Sequence, residues 1–221
     1  HGGRRDVMIS YLIGLALRFL IPGGSASAGK VLFIDNSSHY ASLFSFGAER
    51  AFMTWVTWTF AFAAGLFYFG SDVLIWILIG FILIALAPIW AYWLLNLSAK
   101  SRRWRESYRQ SAPKLATLQL LSAFLMQLQY WLVLQQSGVI SFGQSLTRMS
   151  LTNFSNSIPI TFAGLGLRES FAIHFLADAG FTATQAVAAT LTVFVFQDVL
   201  PGIVGAVTLL IAKKKPRLPR M

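Results

Sequence analysis

The sequence contains no cysteine and few charged side chains. Among its 221 residues only 12% are charged, with 8 acidic residues and 3 histidines. The absence of cysteine excludes disulfides, thiolate metal sites and cysteine catalysis. The histidines show no spacing with acidic residues that would indicate a metal site. We therefore expect no metal and no cofactor in this chain.

Hydrophobic residues make up most of the remainder. They account for 56% of the chain, and the mean hydropathy is +0.62. A helix that crosses the hydrocarbon core of a bilayer needs about 20 predominantly apolar residues. Four apolar runs reach this length, at residues 51–70, 73–97, 115–134 and 186–212. The sequence thus predicts an all-α polytopic membrane protein built as a helical bundle.

The net charge of +10 is concentrated in three short basic stretches, within residues 4–5, 100–114 and 213–220. Each stretch flanks an apolar segment. The positive-inside rule places all three on the cytoplasmic side, where they meet anionic headgroups. We therefore assign the basic excess to the membrane surface and expect no nucleic-acid partner.

This common orientation constrains the topology. The chain must cross the membrane an even number of times between two cytoplasmic stretches, and two clear apolar runs separate each pair of them. Residues 7–45 must therefore begin and end inside, and residues 138–180 must begin and end outside. We predict a re-entrant hairpin in each region, entering from opposite faces. Two short full crossings in each region are the alternative.

Residues 157–170 interrupt the apolar pattern with Pro159, Gly164 and Gly166, followed by Arg168 and Glu169. Proline removes a backbone donor and glycine permits unusual backbone angles, so this segment is predicted to break a membrane helix. Irregular backbone at membrane depth persists only where protein or a water-filled cavity satisfies its polar groups. The segment is therefore a candidate site.

The residue types at this break are suited to an anion. Arg168 and Glu169 open the returning helix, where backbone amides and the helix dipole favour negative charge. Arg168 presents a planar fork that fits phosphate oxygens, and Glu169 would orient Arg168 or titrate. Asn156, in the polar run before Pro159, could bond the phosphate or the backbone of the hairpin tip. The alternative is an internal ion pair that locks the structure together.

A second break resembles the first in outline. Residues 20–30 contain Pro22, small residues and glycines, then Lys30, and Arg18 lies one turn before Pro22. Arg18 either faces a cavity or a partner, or extends its charge to the membrane interface. Two broken segments of opposite orientation are typical of inverted-repeat transporters, with the substrate site where the breaks meet. We predict one transmembrane domain with a first repeat at 1–97, a basic loop at 98–114, a second repeat at 115–212 and a basic tail at 213–221. The first repeat lacks a leading span, so we expect the natural protein to begin further upstream.

Further polar residues border or interrupt the apolar runs. We expect Glu49 and Arg50 to form a helix-terminal pair at the interface, because they precede the first run. A direct role in ligand binding is the alternative. Pro88 predicts a kink in the second run. Asp198, before Pro201, places an ionisable group inside the last run.

Together these motifs resemble the lysylphosphatidylglycerol synthase transmembrane-region family, the flippase-like integral membrane proteins. The resemblance is carried by Pro159 to Glu169, Gly180-Phe181, Ala186, Pro201-Gly202 and Gly205. Residues 20–30 are similar to the family's first glycine-rich element, in which arginine is usual at the position of Lys30. The resemblance implies a domain of a bacterial or archaeal cytoplasmic membrane. It implies that this domain moves an anionic, aminoacylated or polyprenyl-linked lipid between leaflets.

We therefore expect a lipid flippase in which Arg168, Lys30 and Arg18 hold a headgroup phosphate between the two breaks. The candidate substrate-binding residues are Arg168, Glu169, Gly164, Gly166, Pro159, Asn156, Lys30, Arg18 and Pro22. The expected partners are membrane lipids with anionic headgroups, with a second copy or other membrane proteins left open. The alternative function is an accessory or scaffolding subunit of a larger membrane complex. We expect no enzyme activity, because no His-Asp, Ser-His or metal constellation is present.

Overall fold

The computed structural model of the protein describes residues 4–19, 22–33, 39–158 and 164–211. Within these ranges the chain forms helices joined by short turns, without strands. The elements are α1 (Arg4–Leu17), a 3₁₀ helix (Pro22–Phe33), α2 (His39–Tyr68), α3 (Ser71–Ala85), α4 (Ala87–Leu94), α5 (Ala99–Arg102), α6 (Arg105–Gln135), α7 (Phe142–Phe154), a 3₁₀ turn (Ser155–Ser157), α8 (Leu167–Ala177), α9 (Ala183–Phe194), a π-helical turn (Val195–Val199) and α10 (Leu200–Ile211). The predicted all-α fold is confirmed.

Helices of membrane-spanning length coincide with the predicted apolar runs. In the described part of the chain, three are long and apolar enough to span: Ala41–Tyr68, Arg105–Gln135 and Ala183–Ile211. The pair α3 and α4 is a fourth candidate, bent by 50° at its junction. Pro88 lies in the first turn of α4, where its ring prevents a continuous hydrogen-bond ladder. The predicted kink is confirmed.

The amino end of α2 differs from the expectation. The helix begins at His39 rather than near residue 51, so Glu49 and Arg50 lie within it, and their prediction as a helix-terminal pair is wrong. Both charges have partners on the 3₁₀ helix. Lys30 Nζ lies 2.7 Å from Glu49 Oε2, and Arg50 donates to Ser27 Oγ. Lys30 neutralises Glu49 and Ser27 accepts a hydrogen bond from Arg50, so α2 accommodates both charged residues before the apolar run begins.

The helices α7 and α8 are short. They contain 13 and 11 residues, which at 1.5 Å per residue correspond to about 20 Å and about 17 Å. A hydrocarbon core of about 30 Å is thicker than either helix is long. These lengths favour the re-entrant hairpin over two full crossings in this region.

The two halves of the chain pack extensively against each other. The most extensive helix contacts join α1 to α10 and α2 to α7. The first predicted hairpin begins with α1, which packs on the span after the second hairpin. The second predicted hairpin begins with α7, which packs on the span after the first hairpin. At the first contact, Gly205 faces the backbone of Leu12 and Ala16, and Gly202 faces the ring of Phe19. Small residues allow this close approach of helix backbones. The contact holds α1, and with it Arg18, against the last span.

A buried apolar core holds the α7–α8 hairpin against α6 and α9. Its members include Tyr130, Leu134, Met149, Leu176 and Ala189. A smaller cluster of Ala64, Leu151 and Phe175 packs the hairpin on α2. These two clusters fix the position of α8, which carries Arg168 at its amino end.

Candidate functional site

A polar cavity of about 150 Å³ lies where α1, α2, α6, α7 and α8 meet the π-helical turn. The polar and charged side chains that line it are Arg18, Arg50, Thr57, Tyr130, Asn153, Asn156, Arg168, Gln197 and Asp198. Among the residues that the structure describes, the lining thus contains three guanidinium groups and one carboxylate. This excess of positive charge favours an anionic ligand.

Arg168 is the most deeply buried of the three described arginines that line the cavity. Only 4% of its side chain is exposed, and Nη2 donates to Glu169 Oε1 at 2.9 Å. The guanidinium lies 5.0 Å from the centroid of the Phe194 ring, within cation–π distance. Its Nε–H has no hydrogen-bond partner among the described residues. A buried, unsatisfied donor beside a cavity marks a position where an acceptor would bind.

Glu169 occupies the amino end of α8. Its Oε2 accepts a hydrogen bond from the Gly166 N–H at 2.5 Å, while Oε1 accepts from Arg168. The loop that makes this possible contains Gly164 at φ +84° and Gly166 at φ +86°, angles that side chains disfavour. The anion at this helix end is therefore Glu169 itself. It orients Arg168 and leaves Arg168 Nε directed to a different acceptor.

Arg18 and Asp198 form an ion pair across the cavity wall. Arg18 Nη1 donates to Asp198 Oδ1, with 26% and 10% of the two side chains exposed. The pair joins the end of α1 to the π-helical turn at Val195–Val199. Such π-helical insertions in α-helices often occur at functional sites. The intramembrane acid predicted from the sequence thus has a specific partner.

Arg50 is a cavity residue that the sequence pattern assigned to the interface, with a ligand role only as the alternative. It lines the cavity together with Arg168, donates to Ser27 Oγ and lies 5.5 Å from the ring of Phe46. A charge inside a membrane helix is a functional candidate by default. The sequence shows this charge next to the first apolar run. Arg50 is assigned to the interface when the start of the apolar run is taken as the start of the helix.

The structure brings together some of the predicted site residues and not others. Arg18, Asn156, Gly164 and Arg168 line the cavity, and Gly166 and Glu169 support Arg168 from behind. Pro22 begins the 3₁₀ helix, and Pro159 lies outside the described residues.

Lys30 is not brought to Arg168. Its ammonium pairs with Glu49 and lies 5.1 Å and 5.7 Å from the rings of Phe46 and Tyr11. Lys30 is not among the lining residues of the cavity. The expected joint site of Lys30 and Arg168 is therefore corrected. The reason is that Glu49 lies within reach on α2, while Arg50, the next residue, supplies the cation on that side of the cavity.

Gly164 provides a test of the loop geometry. Besides its positive φ, a Cβ at this position would overlap Asn156 Oδ1. We expect Gly164→Ala to lower the free energy of unfolding by about 1–3 kcal/mol, through backbone strain and displacement of Asn156. Thermal unfolding in detergent measures this. Gly143→Ala is the matched control, because nothing lies within 4 Å of its added Cβ. Equal melting temperatures for the two variants would contradict the expectation.

The fold and the cavity define a polytopic membrane protein with a basic internal pocket. A family model described as the lysylphosphatidylglycerol synthase TM region matches residues 1–205. The chain therefore belongs to the lysylphosphatidylglycerol synthase transmembrane-region family, and the resemblance seen in the sequence is confirmed. Comparisons with curated proteins and with solved structures each found no match. The family makes this an integral membrane protein with a lipid-related function.

The family match also corrects one expectation. The residues of the chain predict no enzyme activity, whereas the family is named after an enzyme, lysylphosphatidylglycerol synthase. The expectation rested on the absence of a recognisable catalytic constellation. Such an absence excludes particular mechanisms of catalysis. It does not place a chain outside an enzyme family.

Proposed function

We propose that this chain binds the phosphate of an anionic lipid headgroup in the polar cavity and moves that lipid between the leaflets of a bacterial or archaeal cytoplasmic membrane. The observation that carries the proposal is the buried Nε–H of Arg168, which finds no acceptor in the described part of the chain and lies beside a cavity that Arg50 also lines. Arginine donors of this kind recognise phosphate oxygens by charge-assisted hydrogen bonds.

The charge balance of the cavity supports a phosphodiester. Asp198 is compensated by Arg18, and Glu169 is compensated by Arg168. The described lining residues carry three guanidinium groups and one carboxylate, so the cavity wall is basic. A phosphodiester carries one negative charge and suits such a wall. Phospholipids and polyprenyl-linked lipids both provide such a phosphate.

The arrangement of the helices supports movement of the bound lipid. The crossed packing of α1 on α10 and of α2 on α7 agrees with an inverted repeat, in which two related halves surround one site. In such proteins, one half moves against the other and exposes the site to each side in turn. The headgroup would cross within the cavity while the hydrocarbon chains remain in apolar surroundings.

Reconstitution tests this proposal. Purified protein is titrated with glycerophosphoglycerol, a soluble headgroup analogue, and proteoliposomes are assayed for movement of fluorescent phosphatidylglycerol between leaflets. We expect Arg168→Gln to weaken headgroup binding by about tenfold and to slow transport, because a hydrogen bond to a charged group contributes about 1.5–3 kcal/mol.

Arg148→Gln is the matched control. Arg148 lies on α7, pairs with Asp178 at 3.1 Å and does not line the cavity. We expect this variant to bind and transport as the wild type does. An Arg168→Gln protein that folds normally, binds the analogue with wild-type affinity and transports at the wild-type rate would overturn the proposal.

A further inference from the structure

A second hollow, of about 260 Å³, lies close to the polar cavity, between α2, α3, α7 and α8. Its lining residues in the described ranges are all apolar, and they include Ala61, Phe62, Gly65, Leu151, Phe171 and Phe175. Leu151, Phe175 and Ala61 are the buried members of this lining. We call this hollow the apolar groove.

One face of α2 connects the cavity to the apolar groove. Thr57 lines the cavity, whereas Ala61 and Gly65 line the groove. Residues four apart lie on the same face of an α-helix, one turn above each other. The distance from Thr57 to Gly65 along the helix is about 12 Å at 1.5 Å per residue. The surface therefore changes from polar to apolar over little more than two turns.

Trp58 stands at the junction between the two spaces. Its indole Nε1 donates to Ser157 Oγ at 2.8 Å, and its ring lies 5.2 Å from the ring of Phe154, a groove residue. Asn156, the neighbour of Ser157, lines the cavity. Tryptophan with one polar edge and an apolar body suits a boundary between wet and apolar surroundings. The junction thus matches the part of a lipid where the headgroup meets the chains.

We propose that the apolar groove holds one hydrocarbon chain of the same lipid whose headgroup phosphate occupies the cavity. This inference rests on the proposed function and adds the position of the chain. Hydrocarbon in the bilayer is as apolar as the groove, so burial there supplies little affinity. The groove would instead orient the lipid and discriminate between chains by shape.

The direction of the groove agrees with loading from one leaflet. With the basic stretches on the cytoplasmic side, α2 runs outward from its amino end, and the cavity residue Thr57 precedes the groove residues Ala61 and Gly65. A lipid bound in this way has its headgroup nearer the cytoplasm and its chain directed outward. Lipids of the cytoplasmic leaflet have this orientation.

A pair of matched variants tests the groove. Ala61→Phe fills it, whereas Ala63→Phe places the same side chain two positions along α2, in a different hollow lined by Phe60 and Leu146. We expect Ala61→Phe to transport dioleoylphosphatidylglycerol about tenfold more slowly than Ala63→Phe, the scale on which apolar pockets discriminate by shape. Binding of glycerophosphoglycerol, which has no chains, should be unchanged in both variants.

A second measurement uses the wild-type protein and does not depend on the folding of a variant. Phosphatidylglycerol with a diazirine in one acyl chain is cross-linked to the reconstituted protein, and the labelled peptides are identified. We expect the label to be enriched at Phe62, Leu151 and Phe171 over the lipid-facing residues Ile75 and Ile79, both exposed on α3. Arg168→Gln should remove this enrichment, because it removes the headgroup contact.

The outcomes separate the two proposals. Wild-type protein that does not bind glycerophosphoglycerol would overturn the proposed function and this inference with it. Protein that binds the analogue but shows equal transport in Ala61→Phe and Ala63→Phe, with label spread evenly over the lipid-facing helices, would overturn the groove alone.

Discussion

Replacement of Arg18 by alanine is expected to lower the free energy of unfolding by about 3 kcal/mol, because it leaves a buried carboxylate without its partner. Only 10% of the Asp198 side chain is exposed, and Arg18 is its ion-pair partner. We expect a loss at the lower end of the usual range of about 3–5 kcal/mol. The reason is that Arg168 lines the same cavity and keeps a positive charge near Asp198. Unfolding in mixed micelles measures the loss.

A double-mutant cycle separates the ion pair from a simple loss of packing. Asp198→Asn should lower the free energy of unfolding by less than Arg18→Ala does, because the Arg18 side chain is 26% exposed and can reach water. The double variant, Arg18→Ala with Asp198→Asn, should recover most of the stability lost in Arg18→Ala, since residue 198 then carries no unpaired negative charge. A double variant as unstable as the sum of the two single variants would show that the pair is not coupled.

Another long-range ion pair serves as the comparison. Arg148 and Asp178 also join separate helices, but 51% of the Asp178 side chain is exposed. Exposed pairs contribute about 0–1 kcal/mol. Arg148→Ala should therefore reduce stability by about 1 kcal/mol or less, although it removes the same kind of side chain.

Replacement of Gly205 by alanine is expected to cost about 2–3 kcal/mol, a large effect for the addition of one methyl group. A Cβ at this position would overlap the carbonyl oxygen of Leu12 and come within 3.1 Å of the Ala16 nitrogen. A side chain in the way could rotate, but a helix backbone must move as a whole. We therefore expect α1 to separate from α10, with a lower melting temperature in detergent.

Gly47→Ala is the matched control for this prediction. Gly47 also lies within a helix, and nothing is found within 4 Å of its added Cβ. Without a clash, alanine is the better helix former, and a gain of about 0.5–1 kcal/mol is expected. If Gly205→Ala melted at or above the temperature of Gly47→Ala, the close contact between α1 and α10 would be disproved.

The large effects expected for Arg18→Ala and Gly205→Ala both concern the contact between α1 and the last span. Gly205 allows α1 to lie on α10, and this contact carries Arg18 to Asp198. A variant that separates the helices should therefore also weaken the ion pair. Combining Gly205→Ala with Arg18→Ala should cost less than the sum of the single changes, because neighbouring sites that share one contact are not additive.

The sequence by itself determined the membrane class, the helical runs and the family. These properties are local: a bilayer requires about 20 apolar residues for each crossing, and it requires every backbone polar group to be satisfied. Pro88 predicted its kink and Gly164 and Gly166 predicted an irregular turn for the same reason, since proline and glycine act on their own backbone. The enzyme expectation failed because it inferred a class from residues that were absent.

Only the tertiary structure decided which charges meet. Arg18 and Asp198 are 180 positions apart in the chain, and no local rule pairs them. Lys30 resembled Arg168 in its sequence context, yet Glu49 on α2 binds it, and Arg50 lines the cavity instead. The energy of a charge inside a membrane depends on its nearest partner. That partner is determined by how α1 packs on α10 and the 3₁₀ helix on α2, which are contacts between distant segments of the chain.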